Sequence, residues 1–528
     1  MKSGSAADLP VALAAQLRAS DAALRQGDRA RGLQLARAAM QAAPGHPDVM
    51  RHLAAALAAQ GPSAEALALI ERALQSRPRD PAMLTTQAMV LEANGHREAA
   101  LRAFRRASEL APHSASYSYN LGRALSNAGN NDTSLNELER ALQLDAGHRA
   151  AAALRAEVLR RLGRIDAAIE QYRDLLRRQP ADVRVWSAMA ALNRDCFDDG
   201  DLAAMQRIEA APGLGIEEKV RIAFALARAF AAHGRYADAF ASCVRANSLA
   251  RSKLPWNARA FSAQVDAVLA AFAKPIEQPQ TQLGSEMIFI VSLPRSGSTL
   301  IEQIFAAHRE VDAGDERMDL FNVLAEEGQR HKLPLARWAP HATAADWQRL
   351  GHAYLERSRR WRGSGTRATD KLPANWLWLG AALAMLPGAR VIDCRRDLLE
   401  TAWSCFSHLF AGGAQEFSYD FDSIAAYARD YERALAHWQA QYPQRIRTQS
   451  YEALLADPET QTRELLAFCG LDFDPACLDF HAAQRSVRTA SAAQVREPLR
   501  RDTARTVKYG ALLDPLRQVL GLPAFRPQ

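Results

Sequence analysis

The chain has 528 residues, more than one ordinary hydrophobic core holds, so its length predicts two or more domains. Hydrophobic residues form 48% of it and charged residues 24%, a balance that excludes a wholly disordered protein and favours a soluble, helix-rich one. The formal net charge of +7 is small for this length. It suits anionic ligands, but an arginine-rich solvated surface explains most of it, and it does not indicate a nucleic-acid partner.

Cysteine usage and apolar runs bear on the location of the protein. The six cysteines include no C-x-x-C pair, which disfavours a zinc ribbon and a thioredoxin-like site and indicates a reducing compartment. The first residues lack the long apolar stretch of a signal peptide. No apolar run reaches the roughly 18 residues that a membrane span needs. We therefore expect a cytoplasmic protein without a membrane span.

Two residue types recur at an interval of 34 residues through the first part of the chain. The glycines of this series are Gly27, Gly61, Gly95, Gly129 and Gly163, and the prolines are Pro44, Pro78 and Pro112, with Pro180 at twice the interval. Such a period predicts repeated pairs of helices, because glycine ends the first helix in a left-handed conformation and proline ends the second.

Small and bulky residues follow the same period. The small ones are Ala39, Ala73, Ala107 and Ala141, and the bulky ones are Ile70, Phe104, Leu138 and Tyr172. Small residues let two helices approach closely, and bulky residues fill the groove between neighbouring helices. This pattern resembles the tetratricopeptide repeat over about residues 13–182. Trp186 and Gly234 indicate that the series continues, with a small insertion near 197–200.

The resemblance implies an all-α solenoid of about seven units over residues 1–250. Solenoids of this class usually bind a peptide or a protein on their concave face, so we expect such a partner, and repeat arrays often form homodimers. Beyond residue 250 the period fades, and Pro275 and Pro279 among polar residues predict a linker over 251–286.

A strand, a turn and a helix follow the predicted linker. Residues 287–292 are apolar up to a final serine and predict a buried strand of a parallel sheet. The turn carries the candidate anion-binding residues Arg295, Ser296, Gly297, Ser298 and Thr299. Backbone N–H groups at a helix start attract phosphate or sulfate, glycine admits a close approach, and arginine adds a forked cation.

The turn differs from the Walker loop of ATPases, because Ser298 stands where that loop needs lysine. Magnesium-dependent ATP hydrolysis is therefore disfavoured, and we expect no metal site.

A second strand and helix predict a further anion site. Residues 389–394 form another largely apolar run, Arg396 follows it, and Ser404 lies eight residues further along a predicted helix. Ligands of open α/β sheets bind at the carboxyl ends of the strands. Arg396 and Ser404 are therefore candidates for holding a second phosphate.

Together the two segments resemble the sulfotransferase superfamily, which uses 3′-phosphoadenosine 5′-phosphosulfate (PAPS), over about residues 285–510. Within it, the chain looks closest to tyrosylprotein sulfotransferases and to bacterial proteins that join tetratricopeptide repeats to such a domain. The resemblance implies a multidomain chain with a C-terminal α/β, P-loop-like sulfotransferase domain and a parallel sheet over 287–528. It also implies PAPS as donor, adenosine 3′,5′-bisphosphate (PAP) as product and no metal.

The resemblance to the tyrosylprotein enzymes also implies residue roles. Glu316 matches their catalytic base, Lys371 matches their catalytic lysine, and Arg295 would stabilise the charge that grows during transfer. The implied donor-binding residues are Arg295, Ser296, Gly297, Ser298, Thr299, Arg396, Ser404, Tyr451 and Ser491. Met318 stands where those enzymes have an arginine that contacts acidic peptide. The acceptor hydroxyl therefore stays open between protein tyrosine, a sugar, a lipid and a small phenol.

Alternatives exist for the base and for the function. His308 is a rival base, because other branches of the superfamily use histidine, although its place after the first helix favours a structural role; Asp315 is a further rival. A P-loop small-molecule kinase would need the missing Walker lysine. A non-enzymatic repeat scaffold with a degenerate nucleotide-binding domain is disfavoured, because all the residues with implied catalytic roles are present together.

Overall fold

The computed structural model describes residues 9–192, 195–276, 282–410, 415–482 and 504–526. The chain forms two compact units, Met1–Arg178 and Gln179–Gln528. The first is entirely helical in its described part, and the second combines further helices with a parallel β-sheet.

The first unit consists of paired helices in its described residues. Their bounds are Val11–Arg25 (α1), Arg29–Ala42 (α2), Pro47–Ala58 (α3), Ala64–Ser76 (α4), Pro81–Ala93 (α5), Arg97–Leu110 (α6), Ala115–Asn127 (α7), Asn131–Leu144 (α8), Arg149–Arg161 (α9) and Ile165–Arg178 (α10). Each odd-numbered helix packs against the helix that follows it, so the chain forms five successive helical hairpins.

The 34-residue period has the predicted structural cause. All five glycines of the series follow an odd-numbered helix and have positive φ angles, from 76° at Gly163 to 138° at Gly61. L-residues rarely adopt this conformation, whereas glycine does so without steric cost. The four periodic alanines and the four bulky residues are buried, with at most 2% of their surface exposed. The predicted helical repeat is confirmed.

The second unit begins with five more helices. Their bounds are Val183–Ala190 (α11), Asp199–Glu209 (α12), Ile216–Ala232 (α13), Tyr236–Lys253 (α14) and Ala258–Ala271 (α15). The hairpin α13–α14 closes through Gly234, whose φ of 70° continues the glycine pattern. Residues 195–198, between α11 and α12, have no regular structure, close to the predicted insertion.

The compact units are divided at a different place from the predicted domains, whose limits stay a prediction. The first compact unit ends at Arg178 rather than at residue 250, so helices α11–α14 belong with the sheet-containing part of the chain. The predicted linker 251–286 contains α15, which buries Val265 and Val268. The fading repeat pattern hid this helix, because its apolar residues follow helical spacing without the 34-residue period.

The sheet has five parallel strands in the order β2-β3-β1-β4-β5. Their bounds are Met287–Ser292 (β1), Val311–Ala313 (β2), Arg367–Asp370 (β3), Arg390–Arg395 (β4) and Ile446–Ser450 (β5). β1 is central and every one of its residues is buried. This agrees with the continuous apolar run, because a central parallel strand is covered on both faces.

Helices surround this sheet. Their bounds are Ser298–Ala306 (α16), Asp319–His331 (α17), Leu335–Trp338 (α18), Ala344–Ser358 (α19), Leu379–Met385 (α20), Leu398–Phe406 (α21), Phe421–Gln441 (α22), Tyr451–Ala456 (α23), Pro458–Phe468 (α24), Thr506–Tyr509 (α25) and Asp514–Val519 (α26). Short 3₁₀ turns lie at Ala339–His341, Pro373–Trp378, Glu416–Tyr419, Pro475–Cys477, Phe480–Ala482 and Gly510–Leu513.

Side chains of β1 point alternately into two cores. Ile288 and Ile290 pack in a cluster with residues of α16, α23 and α24. Phe289 lies on the opposite face, where its ring centroid is 5.7 Å from that of Tyr354 in α19. Both faces are therefore covered by helices, as a doubly wound parallel sheet requires.

Two further observations concern the helices and the cysteines. None of the helices in the described ranges has both the length and the apolar character needed to cross a bilayer. All six cysteines are free thiols, and all but Cys196 are buried.

Candidate active site

Polar and charged residues follow all five strands at the same edge of the sheet. Arg295 follows β1, Glu316 follows β2, Lys371 follows β3, Arg396 follows β4 and Tyr451 follows β5. Because the strands are parallel, their carboxyl ends meet at one edge, which is where ligands of open α/β sheets bind. The topology therefore gathers most of the predicted site residues without any of them being close in sequence.

The turn between β1 and α16 has a backbone suited to an anion. Arg295 has a φ of 70° and Gly297, which caps α16, a φ of 91°. A Cβ atom at Gly297 would lie 2.7 Å from Cδ2 of Tyr451, so any larger residue would have to displace that ring. Ser298 and Thr299 then begin α16, whose N–H groups and dipole favour negative charge.

The second predicted anion site adjoins this turn. Nε of Arg295 donates to Oγ of Ser404 at 3.1 Å. The guanidinium of Arg396 lies 5.0 Å above the ring of Tyr451, and that ring also contacts Gly297. The residues that the sequence indicates for two separate anion sites therefore lie side by side and border what we term the arginine pocket.

Positive charge accumulates in this pocket. Burial, together with the charges of Arg505 and Arg396, lowers the pKa of Arg295 to about 10. Oε1 of Glu400 accepts hydrogen bonds from the backbone N–H groups of Arg505 and Thr506, at 2.8 and 2.7 Å. Since Oε2 of Glu400 lies 3.4 Å from Nη2 of Arg396, this carboxylate fastens the C-terminal segment beside the pocket.

A lysine and a glutamate form an ion pair at the other end of the edge. Nζ of Lys371 is 2.7 Å from Oε1 of Glu316 and 3.9 Å from Oε2 of Glu302. Lys371 and Glu302 are fully buried, whereas 49% of the Glu316 side chain is exposed. Glu316 therefore presents a carboxylate to solvent or substrate while its partner stays desolvated.

Backbone hydrogen bonds fix this pair. The N–H of Asp315 donates to Oε1 of Glu302 at 2.8 Å, and the N–H of Lys371 donates to the carbonyl of Asp315 at 3.2 Å. Glu302 lies on α16, directly after the anion-binding turn. Its carboxylate thus connects the turn to the segment that carries Glu316.

Asp370 supports Lys371 from within the core. Its carboxylate accepts hydrogen bonds from the Tyr354 hydroxyl at 2.7 Å and from Nδ2 of Asn375 at 3.2 Å. Burial raises the pKa of Asp370 to about 7, and the neighbouring charges of Asp319 and Glu302 also raise it. A buried carboxyl of this kind holds its segment in place without reaching the pocket surface.

The rival bases have contacts with the backbone or through it. Nε2 of His308 lies 2.9 Å from the carbonyl oxygen of Asp472, and Nδ1 accepts from the N–H of Glu310 at 3.1 Å. Both ring nitrogens are therefore engaged by backbone groups, and the ring is buried. The backbone N–H and C=O of Asp315 hold Glu302 and Lys371 together, as described above.

Some residues lie outside this account, and others were missed. Ser491 falls outside the described residues. Sequence reasoning did not find Glu302, Glu400 or Arg505. Glu302 and Glu400 each interrupt an apolar run, and a buried carboxylate in such a run usually has a partner to hold.

Among the described residues there is no group of three or more His, Cys, Asp or Glu side chains that could hold a metal ion.

Comparisons with known proteins match two separate parts of the chain. Residues 287–475 match the model of the sulfotransferase family. Residues 23–90, 85–125 and 128–192 match tetratricopeptide-repeat models. A curated relative, an uncharacterized protein of Aquifex aeolicus (strain VF5), is 27% identical over 334 residues, which are 61% of this chain and 44% of the relative. The aligned part therefore spans less than half of the relative's length.

Two solved structures are similar to parts of this chain. The sulfotransferase domain of the olefin synthase of Synechococcus PCC 7002 is 20% identical, with a TM-score of 0.33, and covers 47% of this chain and 98% of its own. A thermophilic tetratricopeptide-repeat protein of Thermus thermophilus is 21% identical, with a TM-score of 0.30, and covers 34% and 98%. With the family matches, the sheet topology and the glycine period all in agreement, the chain joins tetratricopeptide repeats to a domain of the sulfotransferase family.

Proposed function

We propose that the protein transfers the sulfuryl group of PAPS to an acceptor hydroxyl. The observation that carries this proposal is the contact between Arg295 and Ser404, 3.1 Å long, which joins the anion-binding turn to the second anion site. One pocket then faces both charged ends of a single nucleotide, with the Glu316–Lys371 pair at the same sheet edge.

The residues present fit PAPS. Gly297 leaves room for the Tyr451 ring, with which a Cβ atom would collide, and the N–H groups that begin α16 favour an anion. Arg396 and Ser404 offer a cation and a hydroxyl to a second phosphate. A pocket of clustered arginines is stabilised when a ligand of opposite charge enters it.

The chemistry follows from the position of the ion pair. Bound PAPS would supply the sulfuryl group, whose bond to the 5′-phosphate breaks when a hydroxyl attacks. Glu316 is exposed enough to take the proton of that hydroxyl as general base. Lys371, desolvated and fixed by its backbone N–H, offsets negative charge on nearby oxygens. Arg295 offers a second cation beside Ser404.

A phenol, with protein tyrosine as the first candidate, fits the acceptor side. Helix α17 begins three residues after Glu316, and Met318 and Phe321 at its start are 49% and 41% exposed. A groove of about 500 Å³ along this helix is lined by Phe321, Leu324, Leu333 and Trp378, among others. Apolar and aromatic side chains of this kind pack favourably against an aromatic ring.

For the repeats α1–α10 we propose binding of a peptide or protein, either the acceptor or a separate partner. Their match to the tetratricopeptide class supports this, because stacked helical hairpins expose extended surfaces that bind peptides. A homodimer remains a further prediction.

The test uses the full-length chain in two steps. Thermal denaturation is followed with PAP and, separately, with ATP and magnesium. Stabilisation by PAP alone is expected; stabilisation by ATP–magnesium alone would indicate a kinase, and stabilisation by neither a scaffold. Transfer of radiolabelled sulfate from PAPS to tyrosine-containing peptides, sugars and small phenols then identifies the acceptor class.

Glu316→Gln is the matched control for the transfer step. It keeps the shape of the side chain and removes the base, so transfer should fall about 10²- to 10⁴-fold while PAP still stabilises the protein. Full activity of this variant would remove Glu316 from the mechanism.

A further inference from the structure

Arg228 lies outside the family match, on helix α13, yet it reaches the arginine pocket. Its Nη2 is 3.4 Å from Nδ1 of His408, four residues after Ser404, and its Nη1 donates to the carbonyl of Ala190 at 3.3 Å. The residues on either side, Ala227 and Ala229, are buried. Because burying a charge among apolar groups is costly, the guanidinium of Arg228 is expected to reach a polar site beyond its apolar neighbours.

Firm packing holds the hairpin α13–α14 against α21, the helix that carries Ser404. Nδ2 of the buried Asn247 donates to the carbonyl of Phe406 at 2.8 Å. The ring of Phe240 stacks on Trp403 with centroids 5.9 Å apart. Because both contacts involve α21, the position of Arg228 is fixed relative to the second anion site.

Two other arginines lie close enough to Arg228 for their charges to act on it. Burial, together with the positive charges of Arg295 and Arg505, lowers the pKa of Arg228 to about 10. Burial and the charges of Arg295 and Arg228 lower the pKa of His408 to about 2, so this imidazole is neutral.

Cys243 and Tyr509, the two groups that raise the pKa of Arg228, carry no charge themselves. Burial raises the pKa of the Cys243 thiol to about 12, and burial also raises the pKa of Tyr509. Arg228, Arg295 and Arg505 therefore share one region whose positive charge an anion would offset.

The geometry points to Arg228 as a ligand of the phosphate that Arg396 and Ser404 hold, which is the 3′-phosphate of the donor. This inference rests on the proposed function and extends it. Arg295 reaches Ser404, and Arg228 reaches His408 four residues further along the chain, so the proposal places both guanidinium groups beside the same phosphate. A helix of the repeat type thus forms part of the donor site, and the transferase domain is incomplete without it.

The experiment measures equilibrium binding of three nucleotides to the full-length chain by calorimetry: PAP, adenosine 3′-monophosphate and adenosine 5′-monophosphate. Arg228→Met should weaken PAP and the 3′-monophosphate about 10- to 100-fold, because it removes charge-assisted hydrogen bonds to one phosphate. Binding of the 5′-monophosphate should change less than about twofold, which also shows that the variant is folded.

Two further variants make the result specific. Arg221→Met removes an exposed arginine two turns earlier on α13 and should leave all three affinities unchanged. Arg228→Lys keeps the charge but not the planar guanidinium, so it should lose part of the affinity for PAP and for the 3′-monophosphate. If Arg228→Met does not fold, this variant tests the role of Arg228.

The outcomes separate the two proposals. If the unmodified chain binds neither PAP nor the 3′-monophosphate, the proposed function fails, and this inference with it. If it binds PAP but Arg228→Met binds PAP equally well, or loses the 5′-monophosphate to the same extent, only the role of Arg228 is overturned.

Discussion

The two ends of the active-site edge balance their charges in opposite ways. After β2 and β3, the cation of Lys371 is paired at 2.7 Å with Glu316 and lies 3.9 Å from Glu302. After β1 and β4, Arg295 lies among other arginines whose charges lower its pKa. One end thus pairs its cation with a carboxylate, whereas at the other end arginines lie close enough for their charges to oppose one another, an effect that a bound anion would reduce.

This difference assigns separate tasks to the two ends. A preformed lysine–glutamate pair with one exposed partner is suited to proton transfer and charge stabilisation, which affect kcat. An arginine pocket with excess positive charge is suited to holding a ligand, which affects affinity and KM. Substitutions at the two ends should therefore separate kcat from affinity.

The largest effect is expected for Lys371→Met. Loss of the desolvated cation should lower kcat about 10²- to 10³-fold, as removal of one preorganised stabilising group does elsewhere. PAP affinity should change less than about threefold, because the arginine pocket is intact. Steady-state kinetics and calorimetry measure the two quantities.

Glu302→Gln with Lys371→Met is the matched control for folding. Lys371→Met alone leaves the fully buried Glu302 without this cation, which costs stability. The double variant removes that charge, so it should regain thermal stability but not activity. Activity regained together with stability would contradict a catalytic role for Lys371.

Arg396→Met tests the other end. PAP should bind about 10- to 100-fold more weakly, because a charge-assisted contact to phosphate is lost. At saturating PAPS, kcat should change much less than in Lys371→Met. An equal loss of kcat in both variants would show that the two ends do not have separate tasks.

How much of this site the sequence predicts depends on where each residue lies. Arg295, Glu316, Lys371, Arg396 and Tyr451 all follow strands, and strand ends can be located from apolar runs and short motifs. The parallel topology then brings them together. These positions were predictable before any distance was known.

Arg228 and Arg505 were not predictable in this way. Arg228 lies on a helix whose pattern indicates only repeat packing, and Arg505 enters through Glu400, whose carboxylate holds the backbone of the C-terminal segment. Contacts between residues so far apart in the chain leave no local spacing to detect. A charged residue amid an apolar run is the one signal that Arg228 offered.

A smaller effect is expected for Gly297→Ala, and the repeats provide its control. Gly95 has a φ of 81° with nothing within 4 Å of a built Cβ, whereas Gly297 has a φ of 91° and the Tyr451 ring at 2.7 Å. Both alanine variants should lose about 1 to 2 kcal/mol of stability through the left-handed backbone.

Only Gly297→Ala should also weaken PAP binding, by about tenfold, because its methyl group displaces the Tyr451 ring that lies under Arg396. Calorimetry with PAP compares the two variants. Equal PAP affinity in both would show that the turn does not approach the nucleotide.

The last expected effect concerns stability and pH behind the paired end of the site. The folded chain holds the Asp370 proton up to about pH 7, whereas the unfolded chain releases it near 3.8. Between these values the unfolded state binds fewer protons, so the free energy of unfolding falls as pH rises, by up to about 1 kcal/mol per pH unit. Asp370→Asn should remove this slope.

Urea unfolding of both chains between pH 4.5 and 7.5 measures the difference, in which the other titrating groups cancel. All nine tryptophans lie at Trp186 or beyond, so their fluorescence reports only the second unit. If the free energy of unfolding of Asp370→Asn changes with pH in the same way as that of the original chain, Asp370 is ionised at neutral pH. In that case the carboxylate, rather than the neutral acid, accepts the Tyr354 and Asn375 hydrogen bonds behind Lys371.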